Sequence, residues 1–82
     1  MKIAVDISLY PLDADFIPPI KDVIDRLNSR AGLEVWTNAM STQVVGEFDA
    51  VMDALKTEIG TTFDRIPKGV FVMKMFNNPG EH

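Results

Sequence analysis

Residues 3–10 alternate strictly between two kinds of side chain, and this alternation limits the possible folds more than any other feature of the sequence. Every second residue is a large aliphatic one: Ile3, Val5, Ile7 and Leu9 on one side, against Ala4, Asp6, Ser8 and Tyr10 on the other. A period of two is typical of a β-strand that packs one face on a core. We therefore predict a first strand here, ended at Pro11, because proline has no N–H to donate to a strand pair.

The rest of the chain switches between helical and strand patterns. Apolar residues at helical spacing predict a helix over residues 16–31, with Pro18 and Pro19 in its first turn. They also predict a second helix from residue 48, whose main part Gly60 closes and which could add one turn around Phe63. Asp22 and Arg26 are four residues apart, which predicts a solvent-exposed ion pair on the first helix. Further strands are predicted at residues 33–38, 42–46 and 70–76.

The resulting order, β-α-β-β-α-β, predicts an α+β fold in a single domain over residues 1–82. Two interlocked right-handed β-α-β units give a four-stranded antiparallel sheet with both helices on one face, which is a ferredoxin-like sandwich. The first and third strands are expected in the centre of the sheet.

This topology leaves one face of the sheet without helices. The residues predicted there mix rings, thioethers and polar groups: Asp6, Ser8, Tyr10, Trp36, Asn38, Gln43 and Val45, with Phe71, Met73 and Met75 from the last strand. Such a surface is too apolar to remain in water, so we expect a second copy of the chain to cover it in a homodimer or homotetramer. Lys74 is then a candidate partner for a buried Asp6.

Composition excludes several classes of function. The net charge of −4 and the pI of about 4.7 argue against a nucleic-acid partner, because phosphates require clustered cations. The chain has no cysteine and its one histidine is the terminal His82, so we expect no metal site, no cofactor and no His-based catalysis. No signal peptide or membrane-spanning segment is recognisable, which favours the cytoplasm and argues against membrane insertion.

The first strand and the predicted hairpin at residues 34–49 contain the side chains best suited to binding a ligand. Asp6, Ser8 and Asn38 could bind the edge of a heteroaromatic ring, although a polar network between subunits is the explanation that the residues alone favour. Trp36 is as consistent with stacking on a flat or cationic ligand as with anchoring an interface. Met40 and Thr42 could line a pocket, or their corner could simply form a turn.

Several segments together resemble a known family. These are "VDISLYPL", "GLEVWTNAMSTQVVGEFDAVMDAL" and "VMKMFNN". They resemble the small thiamine-binding domain family, the YkoF-like group, which typically has an acidic residue, Ser and Pro in its first strand. The matching residues are Asp6, Ser8 and Pro11, then Met40, Thr42 and Gly46 in the centre, and Lys74 in the last strand.

The resemblance implies a ferredoxin-like fold, assembly into dimers or tetramers, and non-enzymatic binding of thiamine or its hydroxymethylpyrimidine moiety in thiamine salvage or transport. For such a ligand, Asp6, Ser8, Asn38 or Thr42 could bind the edge of the aminopyrimidine, and Trp36, Tyr10 or Phe71 could stack on its rings. The predicted ligand site is Asp6, Ser8, Tyr10, Trp36, Asn38, Met40 and Thr42. The alternative is a homo-oligomeric assembly or regulatory module without a small-molecule ligand. A hydrolase is the third possibility, but Ser8 and Thr42 have no evident general base in the sequence.

Overall fold

A computed structural model describes residues 1–80, so His82 lies outside the described residues. It contains four strands and two helices: β1 (Lys2–Pro11), α1 (Ile17–Asn28), β2 (Glu34–Thr37), β3 (Thr42–Glu47), α2 (Phe48–Arg65) and β4 (Gly69–Asn77). Pro18 and Pro19 lie in the first turn of α1, as predicted, where an absent N–H costs no helical hydrogen bond. The predicted order of elements is confirmed.

The four strands form one antiparallel sheet in the order β2-β3-β1-β4. This is the predicted ferredoxin-like α+β arrangement, with β1 and β3 in the centre. The helix-facing residues of β1 pack with Val44 of β3 and with apolar residues of both helices, and the core includes Ile3, Val5, Ile7, Leu9, Val23, Leu27, Val51 and Leu55. Within the described residues no helix is long and apolar enough to cross a membrane.

The register of β4 corrects one prediction about the helix-free face, which we call the open face. Phe71, Met73 and Met75 pair directly with Leu9, Ile7 and Val5, and directly paired residues point to the same side of a sheet. These three residues therefore lie on the helix side.

The open face instead receives the alternate residues of β4, which are Val70, Val72, Lys74 and Phe76. Lys74 lies opposite Asp6 in the register, on the same face, where it had been considered as a candidate partner for this carboxylate. The prediction for β4 was wrong because the segment "VFVMKMF" is apolar at both parities.

Three glycines occupy different kinds of position in the fold. Gly60 does not end the main part of α2, as had been predicted; the helix continues without a break through the extra turn considered around Phe63 and ends at Arg65. Gly46 is a position of close approach, since a Cβ there would lie 2.9 Å from a Leu33 methyl carbon and 3.3 Å from the Gly32 carbonyl oxygen. Gly32 has a φ of 83°, which suits glycine in the turn after α1.

A charged network joins the two helices. Arg26 Nε donates to Glu58 Oε1 at 2.7 Å and Arg30 Nε donates to Glu58 Oε2 at 2.9 Å, although Glu58 is only 5% exposed. Arg26 also contacts Asp22 and donates to the hydroxyl of Thr62 at 2.8 Å. The Asp22–Arg26 pair thus forms as predicted, but Arg26 turns towards α2 and is partly buried rather than solvated.

Burial raises the pKa of Glu58, but hydrogen bonds from Arg26 and Arg30 and the charges of both arginines lower it by more. The net pKa lies below its usual value of 4.5. A carboxylate with a lowered pKa contributes stability that is complete above its unfolded pKa and is lost as the pH falls through the folded value.

We expect the free energy of unfolding to decrease as the pH falls below about 4.5, in part through protonation of Glu58. Glu58→Gln should cost about 2 kcal/mol at pH 7, because it leaves two arginines facing a neutral group, and should flatten the pH dependence. Urea unfolding at pH 7 and pH 3 measures both effects. The exposed Glu34→Gln is the control, and an equal pH dependence in the two variants would contradict the assignment.

Candidate functional site

The strongest candidate site is a cavity of about 470 Å³ at the end of the sheet, between the start of α1 and the β2–β3 turn. We call it the corner cavity. It is lined by residues 7–12, residues 37–42, Phe16, Ile20, Val23, Ile24 and Phe71. Its volume lies within the range of about 300–1,000 Å³ that is typical of small-molecule sites.

The corner cavity exists because β1 is longer than its neighbour. The β1–β3 pairing stops at Ile7 and Thr42, whereas β1 continues to Pro11 alongside β4 alone. The last four residues of β1 therefore have a strand on one side only. On the other side the chain turns at Met40, and the gap beside β1 opens into the cavity.

The β2–β3 turn is held by its own side chains. Asn38 Oδ1 accepts from the N–H of Met40 at 2.7 Å and from that of Ser41 at 3.0 Å. Two donors on this oxygen fix the orientation of the amide, so its NH₂ is the end available to a ligand. Ser8 Oγ donates to the Met40 carbonyl at 3.3 Å and keeps its lone pairs as acceptors. The β2–β3 turn thus forms a wall of the cavity that hydrogen bonds hold in a defined conformation.

Two threonines place hydroxyls on the helix side of the cavity. Thr37 Oγ1 and Thr42 Oγ1 lie 3.0 Å apart across the β2–β3 ladder, and Thr42 is buried. Only one of the two protons lies between the oxygens, so the pair retains one O–H that can donate and lone pairs that can accept. Thr42 pairs directly with the core residue Ile7, so it faces the helices.

The structure brings five of the seven predicted site residues to this cavity. They are Ser8, Tyr10, Asn38, Met40 and Thr42. Met40 is 83% exposed on the turn, where it can move over an occupant. The remaining two, Asp6 on β1 and Trp36 on β2, lie on the open face on either side of Gln43 of β3 and do not line the cavity.

Asp6 still connects to the cavity through one neighbour. Its Oδ1 accepts from Ser41 Oγ at 2.5 Å, and Ser41 lines the cavity. The carboxylate therefore holds the turn from the open face rather than contacting an occupant directly. Trp36, 43% exposed, belongs to the open face with Tyr10 at its far end.

Sequence reasoning missed the apolar walls that come from the first helix, which are Phe16 just before α1 and Ile20 and Ile24 on it. Phe71 of β4 had been predicted as a residue that could stack on a ligand, and it does line the cavity, where its ring packs edge-on against Phe63 with centroids 5.4 Å apart. Thr37 was also missed, although its direct pairing with Thr42 follows from a two-strand hairpin of this length.

Charge is absent from the cavity walls. Among the described residues, none of those lining the cavity is acidic or basic. Asp13 and Asp15 lie in the loop between the lining residues Leu12 and Phe16, so both are next to the cavity wall in the sequence. Residues 1–80 also contain no group of three acidic side chains or histidines that could hold a metal ion.

The hydrogen bond between Asp6 and Ser41 can be measured by a double-mutant cycle. Asp6→Ala and Ser41→Ala should each cost about 1–2 kcal/mol of unfolding free energy, and the double variant should cost no more than the larger single effect. Urea unfolding gives the four values. The control for additivity combines Asp6→Ala with Ser29→Ala, because the Ser29 hydroxyl donates to the carbonyl of Arg26 on α1. Additive costs for Asp6→Ala and Ser41→Ala would disprove the contact.

Comparison with known proteins gives one family and several similar structures. The sequence matches the family "Thiamine-binding protein" over residues 5–82. No curated protein matches the chain.

Three solved structures share the fold over nearly the whole chain. Protein SP2199 from Streptococcus pneumoniae has a TM-score of 0.86 at 26% identity, covering 99% of this chain and 89% of that one. Hypothetical protein MJ1052 from Methanocaldococcus jannascii has 0.81 at 25% identity, covering 99% and 84%. A Thermotoga maritima protein (TM0486), proposed to act in thiamine biosynthesis or salvage, has 0.73 at 25% identity, covering 95% and 85%. With the match extending over almost its full length, the chain belongs to the thiamine-binding protein family.

Proposed function

We propose that this protein binds thiamine without chemical conversion, and that the hydroxymethylpyrimidine moiety enters the corner cavity. The observation that carries the proposal is the uncharged lining of the cavity, with aromatic and aliphatic walls and hydroxyl and amide groups at one end. A neutral, flat ring with polar edges satisfies both kinds of wall. Family membership supports the same class of ligand.

The two halves of thiamine differ in charge, and this difference sets the orientation. A cation in an uncharged cavity would lose its hydration without an opposing charge, which is costly. The neutral pyrimidine therefore enters, and the cationic thiazolium remains at the mouth near Asp13 and Asp15. A phosphate ester on the thiazolium side would meet these carboxylates, so we expect the unphosphorylated vitamin to be preferred.

Four of the predicted residues act on the ring in this proposal. Ser8 accepts from the exocyclic amine and Asn38 donates to an acceptor on the ligand. Thr42 contributes the hydroxyl pair, and Tyr10 forms a wall beside the last residues of β1. Asp6 acts through Ser41 by holding the turn.

The polar contacts also support binding rather than hydrolysis. The Ser8 hydroxyl donates to a carbonyl and the Thr42 hydroxyl bonds to another hydroxyl, and neither partner is a general base. A role in thiamine salvage or transport is the context we propose, in line with the proposed role of the Thermotoga maritima protein.

Isothermal titration with thiamine, thiamine monophosphate and hydroxymethylpyrimidine tests the ligand. We expect thiamine and the free pyrimidine to bind and the monophosphate to bind more weakly. Thr42→Val should weaken binding of the pyrimidine about fivefold, because one neutral hydrogen bond contributes about 1 kcal/mol. Thr57→Val, on the exposed side of α2, should leave it unchanged. No heat and no thermal shift at millimolar concentration would refute the proposal.

We further propose that a second copy of the chain covers the open face. Its exposed residues are mainly apolar: Tyr10, Trp36, Val70, Val72 and Phe76. Asp6 and Lys74, which lie opposite each other in the register, provide charges of both signs that a symmetric partner can match. A homodimer, or a homotetramer built from it, would remove this surface from water. This is also the arrangement of the alternative function, an assembly module without a ligand.

Sedimentation velocity measures this assembly. Val72→Asp should shift the protein to the monomer, because it places a charge in the middle of the proposed interface. Thr57→Asp adds the same charge on α2 and should leave the oligomer intact. A monomeric wild-type protein at micromolar concentration would contradict the interface. An intact oligomer that binds neither thiamine nor pyrimidine would favour the assembly module.

A further inference from the structure

The main chain of β1 has a fixed polarity along its length. In an antiparallel strand the N–H and C=O of one residue point to the same side, and successive residues alternate between sides. The Phe48 N–H donates to the Met1 carbonyl, on the β3 side, and the Leu12 N–H donates to the Lys68 carbonyl, on the β4 side. The main-chain N–H and C=O groups of the odd-numbered residues of β1 therefore point towards β3, and Leu9 is one of these residues.

Leu9 has no strand opposite it on that side. Ile7 and Thr42 form the last pair of the β1–β3 ladder, two residues earlier. Over residues 1–80, no backbone or side-chain partner contacts the N–H or the C=O of Leu9 on the β3 side. Pro11 is the next residue with this polarity, and its missing N–H costs no ladder bond there. Leu9 thus presents a complete donor and acceptor to the corner cavity, which it lines.

A donor beside an acceptor on a strand edge selects a particular kind of ligand. An aminopyrimidine carries a ring nitrogen that accepts and, on the adjacent carbon, an exocyclic amine that donates. We propose that the Leu9 main chain binds this edge of the ring by two hydrogen bonds, from the Leu9 N–H to the ring nitrogen and from the amine to the Leu9 carbonyl. The inference rests on the proposed function and assigns the contact that fixes the orientation of the ring.

The position of Leu9 favours this contact over one made by side chains alone. Its side chain is buried in the core and β1 is held by β4 along the whole of its projecting end. The donor and the acceptor are therefore already in place before a ligand arrives, and no side-chain rotation has to be frozen for them to act. Polar main-chain groups in a cavity require a partner, which water supplies until a ligand replaces it.

An amide-to-ester replacement tests the main chain without changing a side chain. Incorporating the α-hydroxy acid of leucine at position 9 exchanges the N–H for an ester oxygen. We expect affinity for hydroxymethylpyrimidine to fall about fivefold to tenfold, since one hydrogen bond is lost and the ester oxygen then faces the ring nitrogen. The fold should persist, because that N–H has no partner among residues 1–80.

The matched control is the α-hydroxy acid of methionine at position 73. Met73 has its N–H on the outer edge of β4, and both esters weaken a carbonyl in the same Ser8–Val72 pair of the ladder. We expect this control to bind the pyrimidine as the wild-type protein does. A 4-dimethylamino analogue of the pyrimidine, which lacks the donor, should bind weakly to all three proteins.

The possible results distinguish a failure of the Leu9 contact from a failure of the proposed function. If the wild-type protein binds no pyrimidine, the proposed function fails and this contact fails with it. If the wild-type protein binds and the two ester variants bind equally well, the function stands and the Leu9 contact is disproved. A loss confined to the Leu9 ester supports the contact.

Discussion

The offset between β1 and β3 determines where this molecule can bind anything. If β3 had paired with β1 to its end, the last residues of β1 would be covered and the sheet would close against α1 without a gap. Because the ladder stops at Ile7 and Thr42, the β2–β3 turn and the start of α1 face each other across empty space. The turn that ends the ladder is itself stabilised by Asn38 and by the Asp6–Ser41 contact. The binding site is therefore a consequence of strand register and not of an added loop.

Most of the fold could be predicted from the sequence because the patterns of apolar residues, prolines and glycines in its main elements were unambiguous. Strict alternation in β1 could be satisfied in only one way, with Ile3 and Leu9 on the core side, and the structure agrees. The paired prolines 18 and 19 could only begin a helix. Gly46, in a segment otherwise suited to a strand, correctly indicated a close approach of the backbone. Each of these signals is local and has one physical solution.

The cavity could not be predicted in the same way. It depends on how far one strand extends past another, and that offset is set by pairing between residues far apart in the sequence. The face of Thr42 was undecidable because a shift of one residue at the turn reverses it. In β4 both parities are apolar, so the pattern assigned Met73 to the wrong face. Asp6 and Trp36 were predicted as site residues together with those that line the cavity. The sequence indicates which face of the sheet a residue occupies, but it does not indicate which end of that face a cavity reaches.

The central claim is that the ligand binds at the corner cavity and not on the open face. Mapping ¹⁵N–¹H chemical-shift changes during titration with hydroxymethylpyrimidine tests this directly. We expect the largest changes at the amides of Leu9, Ser41 and Thr42, while the indole N–H signal of Trp36 stays in place. Changes centred on Trp36 and Val72, with Leu9 unaffected, would contradict it.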